Sequence, residues 1–292
     1  MASLQQIKTK ISSVKGTSRI MSAMKLISAV KLKRAQDLLM AYRPFSDAYQ
    51  DTTMNVAKRC DQEAHPLLRK MEEPKKLHLV FITSDRGLCG SFNSSLIRKL
   101  ESYLVDETIA YDEVTFSFLG RRGKEHFGKE DYKEINSYIG ITDRNYAEIS
   151  KKMSEELTKE FIKGDSDEVI LVYNYFKSAL TQEITYEKIL PIEAGSDEED
   201  DSQIDYLYEP TKKGILSELL PKYIEVRVQR AIQESMTSEH ASRMTAMENA
   251  TNNANEVIKN LTLLYNKTRQ AMITTELMDI VNGTEALSKG DE

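Results

Sequence analysis

Tryptophan is absent, and cysteine occurs only at Cys60 and Cys89, 29 residues apart with no Cys-x-x-Cys pair. Two thiols so placed build no disulfide framework and no thiolate metal site; they read as buried side chains in a reducing compartment. The four histidines, His65, His78, His126 and His240, are scattered without ligand spacing, so no metal centre is expected. No apolar run approaches the roughly 18 residues needed to span a bilayer. A net charge of −6 argues against a general nucleic-acid binder. Neither G-x-G-x-x-G nor G-x-x-x-x-G-K-[ST] occurs, and no Ser/His/Asp arrangement presents itself. What catalysis usually requires is missing.

Glycine and proline are unevenly missing. Eight of the 12 glycines lie between residues 75 and 210, whereas Ile215 to Asn282 contains none and a single proline, Pro221. Within that stretch Met244, Met247, Thr251, Ala254, Ile258, Leu261, Tyr265, Thr268 and Met272 recur at alternating steps of three and four. That is the spacing of a seam held against a partner helix. A helix from Lys222 to Asn282 would be roughly 90 Å long at about 1.5 Å per residue, more than a chain of this size buries in its own core. Gly283 stands where a C-cap glycine is expected.

The opposite end carries a matching seam: Leu4, Ile7, Ile11, Val14, Ser18, Met21, Lys25, Ser28, Leu32, Ala35, Leu39 and Tyr42. Ser3 is a plausible N-cap. A second stripe, Ile20, Met24, Ile27 and Val30, calls for a second neighbour or an enclosing cavity. Gly16 weakens this helix by about 1 kcal/mol without ending it, and Pro44 is expected to kink it or mark a step. Residues 1–36 hold eight basic side chains and no acid, among them Lys25, Lys31, Lys33 and Arg34. The segment is Lys-rich rather than Arg-rich and its periodicity runs past residue 40, so it reads as mature helix and not as a transit peptide. Residues 193–209 hold eight acids and no base, which reads as a solvated loop.

Between the seams the periods shorten. Leu77–Thr83 is a nearly continuous apolar run, as in a strand covered on both faces. It leads into the turn Ser84-Asp85-Arg86-Gly87 and a helix over Asn93–Asp106. Val114–Leu119, Ile135–Ile139 and Val169–Tyr173 read as further strands, with a helix over Asn145–Ile162 ended by Gly164. Glu183–Pro191 alternates like a hairpin arm, with Asp205–Tyr208 as a possible edge mate. Strands alternating with helices predict a parallel, Rossmann-like α/β domain. The architecture expected is α+α/β: a long antiparallel coiled coil of N- and C-terminal helices flanking that domain. Its divisions are 1–74 (N-terminal coiled-coil helix), 75–210 (α/β domain), 211–287 (C-terminal coiled-coil helix) and 288–292 (tail). The C-terminal helix outruns its partner, so Arg269 to Asn282 is expected to project alone. Gly87-Leu88-Cys89-Gly90 reads as a tight strand-to-helix turn, and Arg121-Arg122-Gly123-Lys124 as a solvated basic turn.

Three stretches carry a family resemblance. Arg269-Gln270-Ala271-Met272-Ile273-Thr274-Thr275-Glu276-Leu277-Met278-Asp279-Ile280-Val281-Asn282-Gly283 closely resembles the signature of the gamma subunit of F-type ATP synthase. Ser22 to Gln36 resembles that family's first helix, and Ser84-Asp85-Arg86-Gly87-Leu88-Cys89-Gly90-Ser91-Phe92-Asn93 its central turn. The resemblance spans the chain in order. Thr284 departs from the usual small Ala, Gly or Ser, and the cysteine insert of chloroplast forms is lacking.

The resemblance implies the central rotor shaft of the F1 sector, coupling ion-driven rotation to ATP synthesis or hydrolysis in the beta subunits and itself non-catalytic. It implies as partners the alpha and beta subunits of an alpha3beta3 ring, the epsilon subunit and the membrane c-ring. No cofactor, nucleic acid or directly bound nucleotide is implied. The implied location is the cytoplasmic face of the bacterial cell membrane, peripherally. Matched residue by residue, Arg269, Gln270, Thr274, Glu276, Met24 and Lys25 fall at positions contacting a beta subunit. Leu277, Met278, Ile280 and Val281 form a tip able to turn in an apolar sleeve. The residues alone leave two other readings: a coiled-coil scaffold unrelated to F1 carrying an α/β adaptor domain, and an α/β enzyme binding a nucleotide at Gly87–Gly90.

Overall fold

A computed structural model describes residues 4–60, 64–69, 71–108, 110–130, 132–193 and 211–288. Ser3, the segment Asp205–Tyr208 and all of the acidic run except Glu193 lie outside the described residues. The chain forms two compact units, Ser28–Thr245 and Met1–Ile27 with Ala246–Glu292. Helices α1 (Leu4–Lys58) and α5 (Lys212–Ser288) contribute to both.

The larger unit is built on five strands: β1 (Lys76–Ile82), β2 (Glu113–Leu119), β3 (Lys133–Tyr138), β4 (Glu168–Phe176) and β5 (Gln182–Leu190). Their spatial order is β3-β2-β1-β4-β5. The first four are mutually parallel, and β5 runs antiparallel against β4. The sheet is therefore mixed rather than purely parallel, and the hairpin arm over 183–191 takes β4 as its mate.

Period-two alternation sorts the strand side chains into two cores. Leu77, Leu79, Phe81, Phe116, Phe118, Ile170 and Val172 face α2 (Phe92–Asp106) and α3 (Arg121–Phe127), meeting Leu96, Leu100 and Phe127. Val80, Ile82, Val169, Leu171 and Tyr173 face α4 (Tyr146–Lys163), together with Val56 of α1 and Leu220, Ile224 and Val228 of α5. Both faces are covered, which is why β1 reads as a nearly continuous apolar run. His78 sits on the second face, its ring bonded to Ser117 and Thr115 at 2.9 and 3.0 Å. Gly164 ends α4 in the left-handed region at φ 77°, as its position predicts. Helix α3 was not foreseen. Gly120 before it has φ 102°, and a Cβ there would lie 2.1 Å from the Thr83 carbonyl oxygen; at Gly123 it would meet the Phe81 ring at 2.6 Å. These glycines let α3 lie down on β1, so the Arg-Arg-Gly-Lys stretch is a packed helix start rather than a solvated turn.

The smaller unit is a two-helix seam. Leu4, Ile7, Ile11, Val14, Ser18, Met21 and Lys25 are all covered, as are Met247, Thr251, Ala254, Ile258, Leu261, Tyr265 and Thr268. Met272 departs from the expectation and is exposed. Helix α5 also continues through Gly283 to Ser288. Gly283 is not in the left-handed conformation a C-cap requires, and the Thr284 hydroxyl donates to the Val281 carbonyl at 2.8 Å within the helix. A helical glycine costs only about 1 kcal/mol, too little to stop it.

Candidate functional site

The strand order reverses between β1 and β4, and in doubly wound sheets the crevice beyond the strand ends at such a point is where ligands bind. Here the turn after β1 is internally braced. Asn93 accepts the Ser84 backbone N–H at 3.0 Å and donates to the Ser84 hydroxyl at 2.7 Å, which in turn donates to the Arg86 carbonyl at 2.7 Å. Helix α5 closes over it. Ser242 donates to the Cys89 carbonyl at 2.7 Å, Arg243 to the Arg86 and Gly87 carbonyls at 3.1 and 3.3 Å, and Ser238 to the Asn174 carbonyl near the end of β4 at 3.1 Å. A phosphate cradle presents N–H groups. This turn presents carbonyl oxygens, and an arginine of the same chain already meets them. Glu239 holds that arginine at 2.7 Å; burial raises the Glu239 pKa, with the Arg243 charge opposing it. Burial likewise pushes the Cys89 thiol up, so it stays protonated and a poor nucleophile.

Asp85 on the same turn accepts the Arg121 N–H at 3.0 Å and the Gly140 N–H at 2.8 Å, tying three loops together. Two basic groups of α3 are engaged within the chain, Arg122 with Glu125 at 3.0 Å and Lys124 with Glu134 at 2.6 Å.

In the seam unit, Lys25 pairs with Glu248 at 2.6 Å and Ser18 bonds Asn255 at 3.3 Å. Seven residues toward the N-terminus on α1 are matched by seven toward the C-terminus on α5, so the helices are antiparallel. Two further heptads in the same register set Leu4 opposite Arg269. The partner helix begins where the covered part of α5 ends. From Arg269 to Thr284 every residue is exposed.

Of the residues singled out in the sequence, Arg269, Gln270, Thr274 and Glu276 lie on this bare stretch, and the Thr274 hydroxyl donates back to the Gln270 carbonyl at 2.9 Å. Leu277, Met278, Ile280 and Val281 are 58%, 55%, 63% and 55% exposed, far beyond what a residue packed in its own chain shows. At about 100° per residue, Ile273, Leu277, Met278, Ile280 and Val281 cover about 160° of the helix circumference. Met24 and Lys25 are half-buried on α1, away from that stretch in sequence but in the same unit. Of the other α1 cations, Lys33 pairs with Asp37 at 2.7 Å and Arg34 with Asp143 at 3.1 Å.

One set of residues went unread in the sequence. Arg43, Asp47 and Gln50 of α1 meet Glu234, Arg230 and Arg227 of α5 in three successive polar rungs. Glu234 is fully buried; it accepts two bonds from Arg43, at 2.9 and 2.7 Å, and the Phe176 N–H at 3.1 Å. Arg43 also donates to the Phe176 carbonyl at 2.7 Å. The available signal was a charged or amide side chain every three or four positions in both helices, indistinguishable in one dimension from a solvated face.

The family described as ATP synthase matches residues 3–287. The chain is 42% identical to the ATP synthase gamma chain of Bdellovibrio bacteriovorus over 295 residues, covering 98% of this chain and 99% of the relative. Among solved structures, a chain of the Tetrahymena thermophila mitochondrial ATP synthase central stalk and c-ring aligns with TM-score 0.61 and 25% identity, covering 79% of this chain and 99% of that one. A chain of the Euglena gracilis mitochondrial ATP synthase OSCP/F1/c-ring assembly, in rotational state 3, shares the fold with TM-score 0.69 and 20% identity over 99% of this chain and 96% of that one.

Proposed function

Because the chain belongs to the ATP synthase gamma chain family, we propose that it works as the central shaft of the F1 sector, coupling ion-driven rotation to ATP synthesis or hydrolysis carried out by the beta subunits. The observation that carries this reading is the stretch from Arg269 to Thr284, helical and carrying a broad apolar face yet uncovered by its own chain. Apolar contact is non-directional, so such a surface can turn inside an apolar sleeve without breaking oriented bonds at each step. Leu277, Met278, Ile280 and Val281 are the residues assigned to the sleeve. An asymmetric shaft meets three equivalent beta subunits differently. Its angle can bias their conformational equilibria only through such unequal contacts.

Polar groups are assigned to the places where the shaft must catch. Arg269, Gln270, Thr274 and Glu276 on α5, and Met24 and Lys25 on α1, are the proposed beta-subunit contacts. The alpha and beta subunits form the ring, and epsilon and the c-ring are the partners at the other end. In this division of labour residues 1–74 and 211–287 supply the shaft, residues 75–210 the body and 288–292 a tail. The chain carries out no ATP chemistry of its own; the occupied crevice at the β1–β4 reversal supports this, since Ser238, Ser242 and Arg243 stand where a nucleotide would lie. The assembly is peripheral to the membrane, and for this chain the cytoplasmic face of a bacterial membrane is proposed. Light scattering of the chain with and without an alpha-beta hexamer tests the reading. A stable complex with one copy per hexamer is expected; self-association that ignores the hexamer would contradict it.

A further inference from the structure

The larger unit contains the place where α1, α5 and the sheet are fastened to one another, and the fastening is unusual in kind. Two buried hydroxyls, one on each helix, bond back into their own backbones, Thr53 to the Tyr49 carbonyl at 2.7 Å and Thr237 to the Gln233 carbonyl at 2.8 Å. They do not cross-link the helices. Small and apolar surfaces resist separation but set little barrier to sliding or rolling. Directional bonds do set one. The rungs Arg43–Glu234, Asp47–Arg230 and Gln50–Arg227 step by four and then three along both helices, which stacks them on one line of the interface. Their far ends run into the sheet. The first rung grips both the N–H and the carbonyl of Phe176 at the end of β4. The last continues from Arg227 to Glu187 on β5, which also accepts the Tyr173 hydroxyl at 2.8 Å. The Arg43 guanidinium lies 4.9 Å from the centre of the Tyr175 ring.

Burying an ion pair is an inefficient way to gain stability. Well-packed apolar residues in its place are often neutral or better, because desolvating two charges offsets most of their attraction. What the pair supplies, and an apolar patch would not, is a fixed mutual orientation. We infer that these rungs, with the buried Glu234 carboxylate at one end and the buried Arg227 guanidinium at the other, are the torsional lock that holds the long helices at a set angle to the α/β body, so that torque applied to one is delivered to the other. Arg43 and Glu234 are positioning residues here, and the inference rests on the shaft reading above.

The test uses complete ATP synthase in membrane vesicles, reading ATP-driven membrane potential with a voltage-sensitive dye against ATP hydrolysis in the same sample. The dye reports electrogenic pumping whichever ion is carried. In the double variant Arg43→Leu with Glu234→Leu, the free chain is expected to melt at or above the wild-type temperature while pumping per ATP hydrolysed falls at least about threefold. Arg43→Lys, which keeps the charge but loses the two-pronged fork, is expected to show a smaller fall in the same ratio. Wild-type pumping per ATP in the double variant overturns the inference. Should the double variant not assemble, an unchanged ratio in Arg43→Lys overturns it. Failure of the wild-type chain to restore pumping would instead defeat the shaft reading.

Discussion

Helix α5 contains two stretches whose compositions are the reverse of their surroundings. Residues 223–241 are buried or half-buried at every position, yet they include Arg227, Arg230, Gln233, Glu234, Glu239 and His240. Residues 269–284 are exposed at every position, yet they include Met272, Ile273, Leu277, Met278, Ile280 and Val281. The first stretch is polar because its partners are in the chain, and they are directional: carboxylates, carbonyls and guanidinium groups at fixed places. The second carries an exposed apolar face because its proposed partner is not in the chain and must pass over that face rather than grip it. Exposure alone does not say what a helix face is for; the chemistry of the face relative to its exposure does.

Removing the bare stretch should have the largest functional effect and almost no structural one. A chain ending before Arg269 is expected to lose ATP-driven pumping or assembly in the complex, while its free α/β body melts within about 2 °C of the full chain, since residues 269–284 are exposed throughout. Full pumping by the truncated chain would break the comparison at its bare end.

The buried stretch should behave oppositely. Glu234→Ala strands the Arg43 guanidinium, whose side chain is 19% exposed, without its carboxylate. A loss of roughly 3–5 kcal/mol in chemical denaturation of the free chain is expected; a loss under about 1 kcal/mol would show the rung to be replaceable by water.

Acid provides a third handle, because only the buried stretch holds a histidine. Burial, with the Arg243 and Lys31 charges adding to it, lowers His240 from about 6.5 to about 4. Between those values the unfolded chain binds a proton that the folded chain refuses. Stability is therefore complete above about pH 6.5 and falls as pH drops toward 4, by up to about 1.4 kcal/mol per pH unit. His78, lowered to about 4 by burial, adds a second contribution of the same sign. In His240→Gln the slope over this window should lessen, and an unchanged slope would remove His240 from the account. The smallest effect belongs to the seam: Lys25 and Glu248 are 36% and 46% exposed, so Lys25→Ala should cost the free chain less than about 1 kcal/mol.

Much of this was legible in one dimension. The α1 seam holds residue for residue from Leu4 to Tyr42, because a period of three and four constrains a long helix strongly. β1 and β4 announce themselves as apolar runs, β2 by alternation, and Gly164 as a left-handed helix end. The rungs escaped because their partners lie more than 170 residues apart in sequence. A charged or amide side chain every three or four positions looks the same facing water as facing a buried carboxylate. The pairing of β5 with β4 escaped for a related reason: alternation reveals a half-buried strand but not its neighbour. Gly283 misled because a glycine ends a helix only where the chain turns left-handed, and here nothing makes it turn.

The central claim is that the bare end of α5 is covered by other subunits as it works. Thiol labelling of an Ile280→Cys chain, free and in the assembled complex, tests it most directly. With the native thiols of Cys60 and Cys89 replaced by serine, rapid labelling of the free chain and strong protection in the complex are expected. Equal labelling rates in both would mean that nothing encloses this end, and the account would be wrong.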